Sequence, residues 1–185
     1  KEAKEAIQAL HACGISKVVM MTGDSRRTAE AVAREVGVDQ FYAEVLPEDK
    51  ANFVRQEKAA GRKVIMIGDG VNDTPALSEA DVGIAINTGA AIAREIADVT
   101  IASEDLFELV TLRKISQALM GRIQRNYRFI VGFNLMLIVL GVTGVIQPTT
   151  SALLHNASTL GISLDSMTDL LDKDKEKALP ETESA

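Results

Sequence analysis

Not one Asp, Glu, Lys or Arg occurs between Phe129 and Leu164, although charged residues crowd the chain before that run and again from Asp172 onward. The chain therefore reads as a soluble block, an apolar block and a charged tail. Tyr127 to Ile146 is a predominantly apolar stretch of 20 residues, and at about 1.5 Å per residue that spans roughly 30 Å, the thickness of a bilayer's hydrocarbon core. Gln147, Pro148 and Thr149 make an uncharged turn, and Thr150 to Leu171 is expected to return as a second, more polar helix. A buried core helix is the competing reading for each segment. Arg113, Lys114, Arg122, Arg125 and Arg128 precede the first span and Lys173, Lys175 and Lys177 follow the second. That asymmetry places both ends on the cytoplasmic side of a cell membrane crossed more than once, with lipid as the partner.

The soluble block has a different rhythm. Apolar residues at Ala3, Ala6, Ile7 and Leu10 recur at helical spacing up to Gly14. Lys17 to Thr22 is a β-branched and apolar run that predicts a buried strand. Ser25 to Val36 predicts a helix ending at Gly37, Phe41 to Val45 a short strand, and Pro47 to Ala60 a helix with proline in its first turn. Lys63 to Ile67, Val82 to Ile86 and Val99 to Ala102 predict three more strands. Strands alternating with helices imply an α/β domain with a parallel sheet and helices on both faces. Ligands in such sheets bind beyond the carboxyl ends of the strands, which puts Thr22-Gly23-Asp24 beside Gly68-Asp69-Gly70. The net charge of −6 excludes a generic nucleic-acid binder, and the single cysteine, Cys13, excludes a disulfide framework or a Cys-based zinc site within the chain.

Three motifs at this edge carry chemistry. Thr22-Gly23-Asp24-Ser25 follows a strand and opens a helix, so a hydroxyl and backbone N–H groups can meet an anion there, although a simple turn and cap explains the same residues. Gly68-Asp69-Gly70-Val71-Asn72-Asp73 puts two carboxylates and an amide on one tight loop, an oxygen-rich set suited to Mg²⁺, with Asp73 also placed to cap the following helix. Lys50 offers an ammonium to phosphate charge, or is a solvated surface lysine.

Met21-Thr22-Gly23-Asp24, Leu46-Pro47-Glu48-Asp49-Lys50 and the decapeptide Gly68 to Leu77 resemble, in order and spacing, the haloacid-dehalogenase-like phosphorylation domain of P-type ATPases. The resemblance implies a Rossmann-like fold in which Thr22 and Gly23 hold the phosphoryl group with Asp24 beside them. Lys50 would neutralise it, Asp69 would ligate Mg²⁺, and Asn72 and Asp73 would order the site. No Asp-Lys-Thr-Gly-Thr segment, whose aspartate accepts phosphate from ATP in that family, occurs in the chain. The chain is therefore expected to be part of something larger, with no turnover of its own. ATP would be bound mainly by the nucleotide-binding domain of the pump, and the actuator domain and other transmembrane helices would also be partners.

The apolar block resembles the last two helices of the heavy-metal subgroup. Within the second span polar side chains are costly, Ser158 and Asp165, seven apart, share a helix face, and His155 lies one turn from Ser158 and Thr159. His155, Asn156, Ser158, Thr159 and Asp165 are therefore expected to line a path for a transported divalent transition metal, with Asp165 alternatively an interfacial charge and Asn134 and Met167 as further contributors or as packing. Helix-to-helix hydrogen bonding is the competing role for Ser158 and Thr159. The expected organisation is a phosphorylation half-domain over 1–104, a stalk over 105–126, two spans over 127–146 and 150–171, and a disordered tail over 172–185. A soluble phosphatase of the same superfamily and a non-catalytic metal-binding partner are the alternatives.

Overall fold

A computed structural model describes residues 2–68, 71–86, 95–101 and 105–170. The chain forms two compact units, Lys1–Thr111 and Leu112–Ala185. The expected tail over 172–185 lies outside the described residues.

The first unit alternates helix and strand: α1 (Glu2–Ala12), β1 (Val19–Met21), α2 (Arg26–Val36), β2 (Gln40–Tyr42), α3 (Pro47–Ala59), β3 (Ile65–Gly68), a 3₁₀ turn (Val71–Asp73), α4 (Thr74–Glu79), β4 (Val82–Ile86) and β5 (Val99–Ile101). The helices bury a few small apolar residues on one side each: the neighbours Ala6 and Ile7 on α1, and, at helical spacing, Ala29 and Ala33 on α2 and Ala51 and Val54 on α3. Start signals act as expected. Pro47 opens α3, and Asp49 reaches back to accept the Leu46 N–H at 3.2 Å.

All strand pairs are parallel, but they form two ladders rather than one sheet. β1 pairs with β2 through Met20 opposite Phe41, and β3, β4 and β5 run side by side with Met66 opposite Gly83 and Ala85 opposite Thr100. The parallel pairing expected from the sequence is thus present, laid out among the described residues as two ladders. Continuity across the unit comes from side chains, because Met21 of β1 packs on the cluster of Ala51, Val54, Met66, Ala76, Leu77 and Ala85. Nor is β3 buried on both faces as its run of apolar residues predicted: Met66 points in, while Ile65 and Ile67 are 44% and 39% exposed.

Asp81 fixes the start of β3, accepting the Val64 N–H at 2.9 Å and pairing with Lys63 at 3.0 Å. The Val64 N–H first, and Lys63 second, hold the Asp81 carboxyl below its ordinary value. A depressed folded value means that the stabilisation is complete above the unfolded carboxylate pKa of about 3.9 and is lost as pH falls through the lower folded value. Asp81→Asn is accordingly expected to lose stability at neutral pH and to flatten the acid limb of a pH–stability profile followed by urea unfolding.

In the second unit, the expected stalk and first span are one uninterrupted helix. This is α5 (Phe107–Val142), 36 residues long, which starts within the first unit. It stops four residues short of Ile146. Gly144 adopts a left-handed conformation at φ 74°, and the Val145 N–H returns to the Leu140 carbonyl at 3.0 Å, which closes the helix end. Pro148 then starts α6 (Pro148–Ser166), two residues before the sequence placed it. The two helices run antiparallel, as their cross-links below require. Among the described residues only α5 is long and apolar enough to cross a membrane. Most apolar side chains in its second half face outward, with Leu135 59% and Ile138 62% exposed while Leu137 is buried, an arrangement consistent with a hydrocarbon surrounding.

Candidate functional site

The carboxyl ends of β1 and β3 carry the first candidate residues. Past β1 the loop closes on itself. Thr22 Oγ1 donates to Asp24 Oδ2 at 2.9 Å and accepts the Asp24 N–H at 3.1 Å, while Ser25 caps α2 by accepting the Thr28 N–H at 3.5 Å. The turn and cap weighed for this motif are both present. Gly23 is in open surroundings, since a side chain there would touch only the Val45 carbonyl oxygen at 3.8 Å.

Past β3 the arrangement is tighter. Asp73 is 8% exposed, and its Oδ1 accepts a hydrogen bond from Lys50 Nζ at 2.7 Å. The side chains of the pair are only 16% and 11% exposed, so each charge depends on the other. Asp73 makes no side-chain cap on α4, which corrects that expectation: its carboxylate is committed to Lys50 on α3 instead. Gly68 is what admits it. A Cβ on Gly68 would lie 2.5 Å from Asp73 Cβ and 2.8 Å from Oδ2. Asn72 is exposed beside it, and Asp69 lies outside the described residues. No hydrogen bond or ion pair among the described residues joins Thr22 or Asp24 to Lys50 or Asp73.

The donors here fit a hard cation. Asp73 offers a buried carboxylate and Asn72 an amide oxygen, and Thr74 Oγ1 is buried without a hydrogen-bond partner. Every one of these is an oxygen, and Mg²⁺ uses one or two protein carboxylates while keeping water and phosphate oxygens in its shell.

In the second unit the structure sorts the proposed metal-path residues into separate groups. His155 Nδ1 lies 2.7 Å from Asn134 Oδ1 across the two helices. Ser158 and Thr159 spend their hydroxyls on their own helix, both donating to the His155 carbonyl oxygen at 2.8 and 3.0 Å. Asp165 faces Arg125 at 3.6 Å, and ten residues along a helix separate it from His155 by about 15 Å. Asp165 and His155 therefore do not converge on one ion, and no cluster of three His, Cys, Asp or Glu occurs among the described residues. Asn156 is exposed. Sequence reasoning used Arg122 only as a topological charge. It in fact ties the end of α6 to α5, donating to the carbonyl oxygens of Ser166, Thr168 and Asp169 at 3.3, 2.7 and 2.9 Å, with Asn126 Nδ2 donating to Ser166 Oγ at 3.3 Å. The available signal was a pair of arginines one turn apart just before an uncharged run, with an acid just after it.

Residues 1–81 match the haloacid dehalogenase-like hydrolase family. Over 150 residues the chain is 48% identical to a copper-transporting ATPase of Rhizobium meliloti, covering 81% of this chain and 18% of that protein. Over 166 residues it is 42% identical to a manganese-exporting P-type ATPase of Mycobacterium leprae, covering 89% of this chain and 23% of that one. The chain thus spans about a fifth of the length of these relatives. Its structure superposes on a zinc-transporting PIB-type ATPase in its E2.Pi state with a TM-score of 0.83 at 32% identity, over 89% of this chain and 27% of the other.

Proposed function

The chain belongs to the heavy-metal-transporting P-type ATPase family, and from that membership we propose that it supplies the phosphate-handling edge of an ATP-driven metal exporter together with part of its transmembrane metal path. The buried Lys50–Asp73 pair at the carboxyl end of β3 is the observation that carries the reading. It holds a cation and an anion, preformed and partly desolvated, at the point where an α/β sheet binds its ligand.

Asp69 and Asp73 would hold Mg²⁺, with Asn72 ordering the loop. Bound there, the ion would neutralise charge on phosphate oxygens. Lys50 holds Asp73 in place through their 2.7 Å contact and lends its ammonium to the phosphoryl group, while Thr22 and Gly23 present a hydroxyl and an N–H from the neighbouring ladder. β1 and β3 are each paired on one side only among the described residues, which leaves strand edges to which a segment bearing the phosphate-accepting aspartate can add. ATP, the actuator and nucleotide-binding domains and further helices belong to the rest of the pump.

α5 and α6 would form a transmembrane pair, with His155 as a ligand to the cargo. Imidazole and amide donors, with no thiolate in the segment, favour a divalent ion such as zinc, manganese or cobalt over cuprous copper.

The test joins the chain to the pump segments it does not contain and follows Mg²⁺-dependent acyl phosphate formed from labelled ATP. Asp69→Asn is expected to lower the phosphoenzyme by about 10²-fold or more. Retention of it would overturn the site assignment. Release of the chain from membranes by alkaline wash would favour the soluble phosphatase instead.

A further inference from the structure

We propose that Asn134 is a positioning residue for the metal path, holding His155 in the tautomer whose free lone pair is on Nε2. The proposal rests on His155 being a ligand to the cargo. Its observation is the 2.7 Å contact from His155 Nδ1 to Asn134 Oδ1. An amide oxygen can only accept, so Nδ1 carries the proton, and in a neutral imidazole Nε2 is then the acceptor and the ligand atom.

Among the described residues Asn134 Oδ1 is the one hydrogen-bond partner of Nδ1, and no charged side chain occurs from Phe129 to Leu164. In an apolar medium an N–H without an acceptor is costly, so the cross-helix bond persists. The geometry is also independent of the connecting turn. Asn134 lies about two turns before the end of α5 and His155 about two turns after the start of α6, a matched depth in an antiparallel pair. The Arg122 and Asn126 bonds at the opposite end of the helices set the register between them. Outer partners of this kind fix ring orientation and raise ligand basicity, and losing one typically lowers metal affinity about 10–100-fold.

The experiment uses the full 185-residue chain in lipid nanodiscs. One arm records ¹⁵N NMR of the histidine rings in mildly alkaline buffer, with the His155 signals assigned by their loss in His155→Ala. The other titrates Co²⁺ by visible absorption. The wild-type chain is expected to show His155 protonated at Nδ1. Asn134→Leu, which suits the apolar helix, is expected to move the proton toward Nε2 and to weaken Co²⁺ binding about 10–100-fold. Asn134→Asp, which keeps an oxygen acceptor, is expected to restore both. A wild-type ring protonated at Nε2 overturns the proposal, as does an Asn134→Leu chain with unchanged tautomer and affinity. Loss of Co²⁺ binding in Asn134→Leu with Nδ1 still protonated overturns it in favour of direct ligation. If His155→Ala binds Co²⁺ as well as wild type, the ligand reading of His155 fails, while the tautomer arm still decides what Asn134 does.

Discussion

Lys50→Ala is expected to destabilise the first unit by about 3–5 kcal/mol, a large fraction of what a domain of this size has to lose. The reason is the carboxylate left behind. Asp73 is 8% exposed and Lys50 is its ion-pair partner, so removing the ammonium strands an anion in a site with little water. Asp73→Ala should do comparable harm by stranding the cation. Replacing both together, as Lys50→Met with Asp73→Leu, should recover most of the loss, since no charge is then left buried and unpaired. Urea unfolding followed by circular dichroism reads all three variants. Equal losses in the single and double replacements would show that packing, not charge, holds this corner together.

Gly68→Ala should damage the same corner from the other side. Its new Cβ would stand 2.5 Å from Asp73 Cβ, far inside the roughly 3.5–4.0 Å at which two carbons rest. Asp73 is anchored where the 3₁₀ turn meets α4, so relief requires that turn to move and the carboxylate to leave Lys50. A loss of about 3 kcal/mol is expected, at the upper end of what overpacking one carbon costs. The decisive measurement is the double-mutant cycle with Lys50→Ala. Because both changes break one interaction, their effects should fall short of additivity by 1 kcal/mol or more. Full additivity would mean that the glycine serves the backbone turn and not the approach of Asp73.

Most of the first unit was legible because its signals are local. A β-branched run such as Val82 to Ile86, a proline opening α3 and a glycine after α2 act within a few residues of themselves. What remained hidden depends on residues far apart. Nothing near Asp73 in the sequence shows that its carboxylate turns toward Lys50, 23 residues earlier, instead of capping α4. From sequence Gly68 reads as part of a tight metal loop, whereas its contact with Asp73 shows a steric reason. The division into two ladders was unreadable because each strand's composition reports burial and not the identity of its neighbour. The second unit erred in a different way. Ser158 and Thr159 are mid-helix hydroxyls, and the tendency of such groups to bond the carbonyl one turn back makes their contact with the His155 carbonyl oxygen the arrangement to expect from sequence alone. Asp165 was grouped with His155 because helical periodicity places residues on a face without weighing an arginine on another helix.

The one-sided pairing of β1 and β3 also bears on the chain's fate in a cell. Strand edges with free N–H and C=O groups, next to the outward isoleucines of β3, are templates for adhesion between copies. A chain released without the rest of its pump would be expected to cluster with itself and to be recognised by chaperones and proteases, so its lifetime would report whether assembly had succeeded.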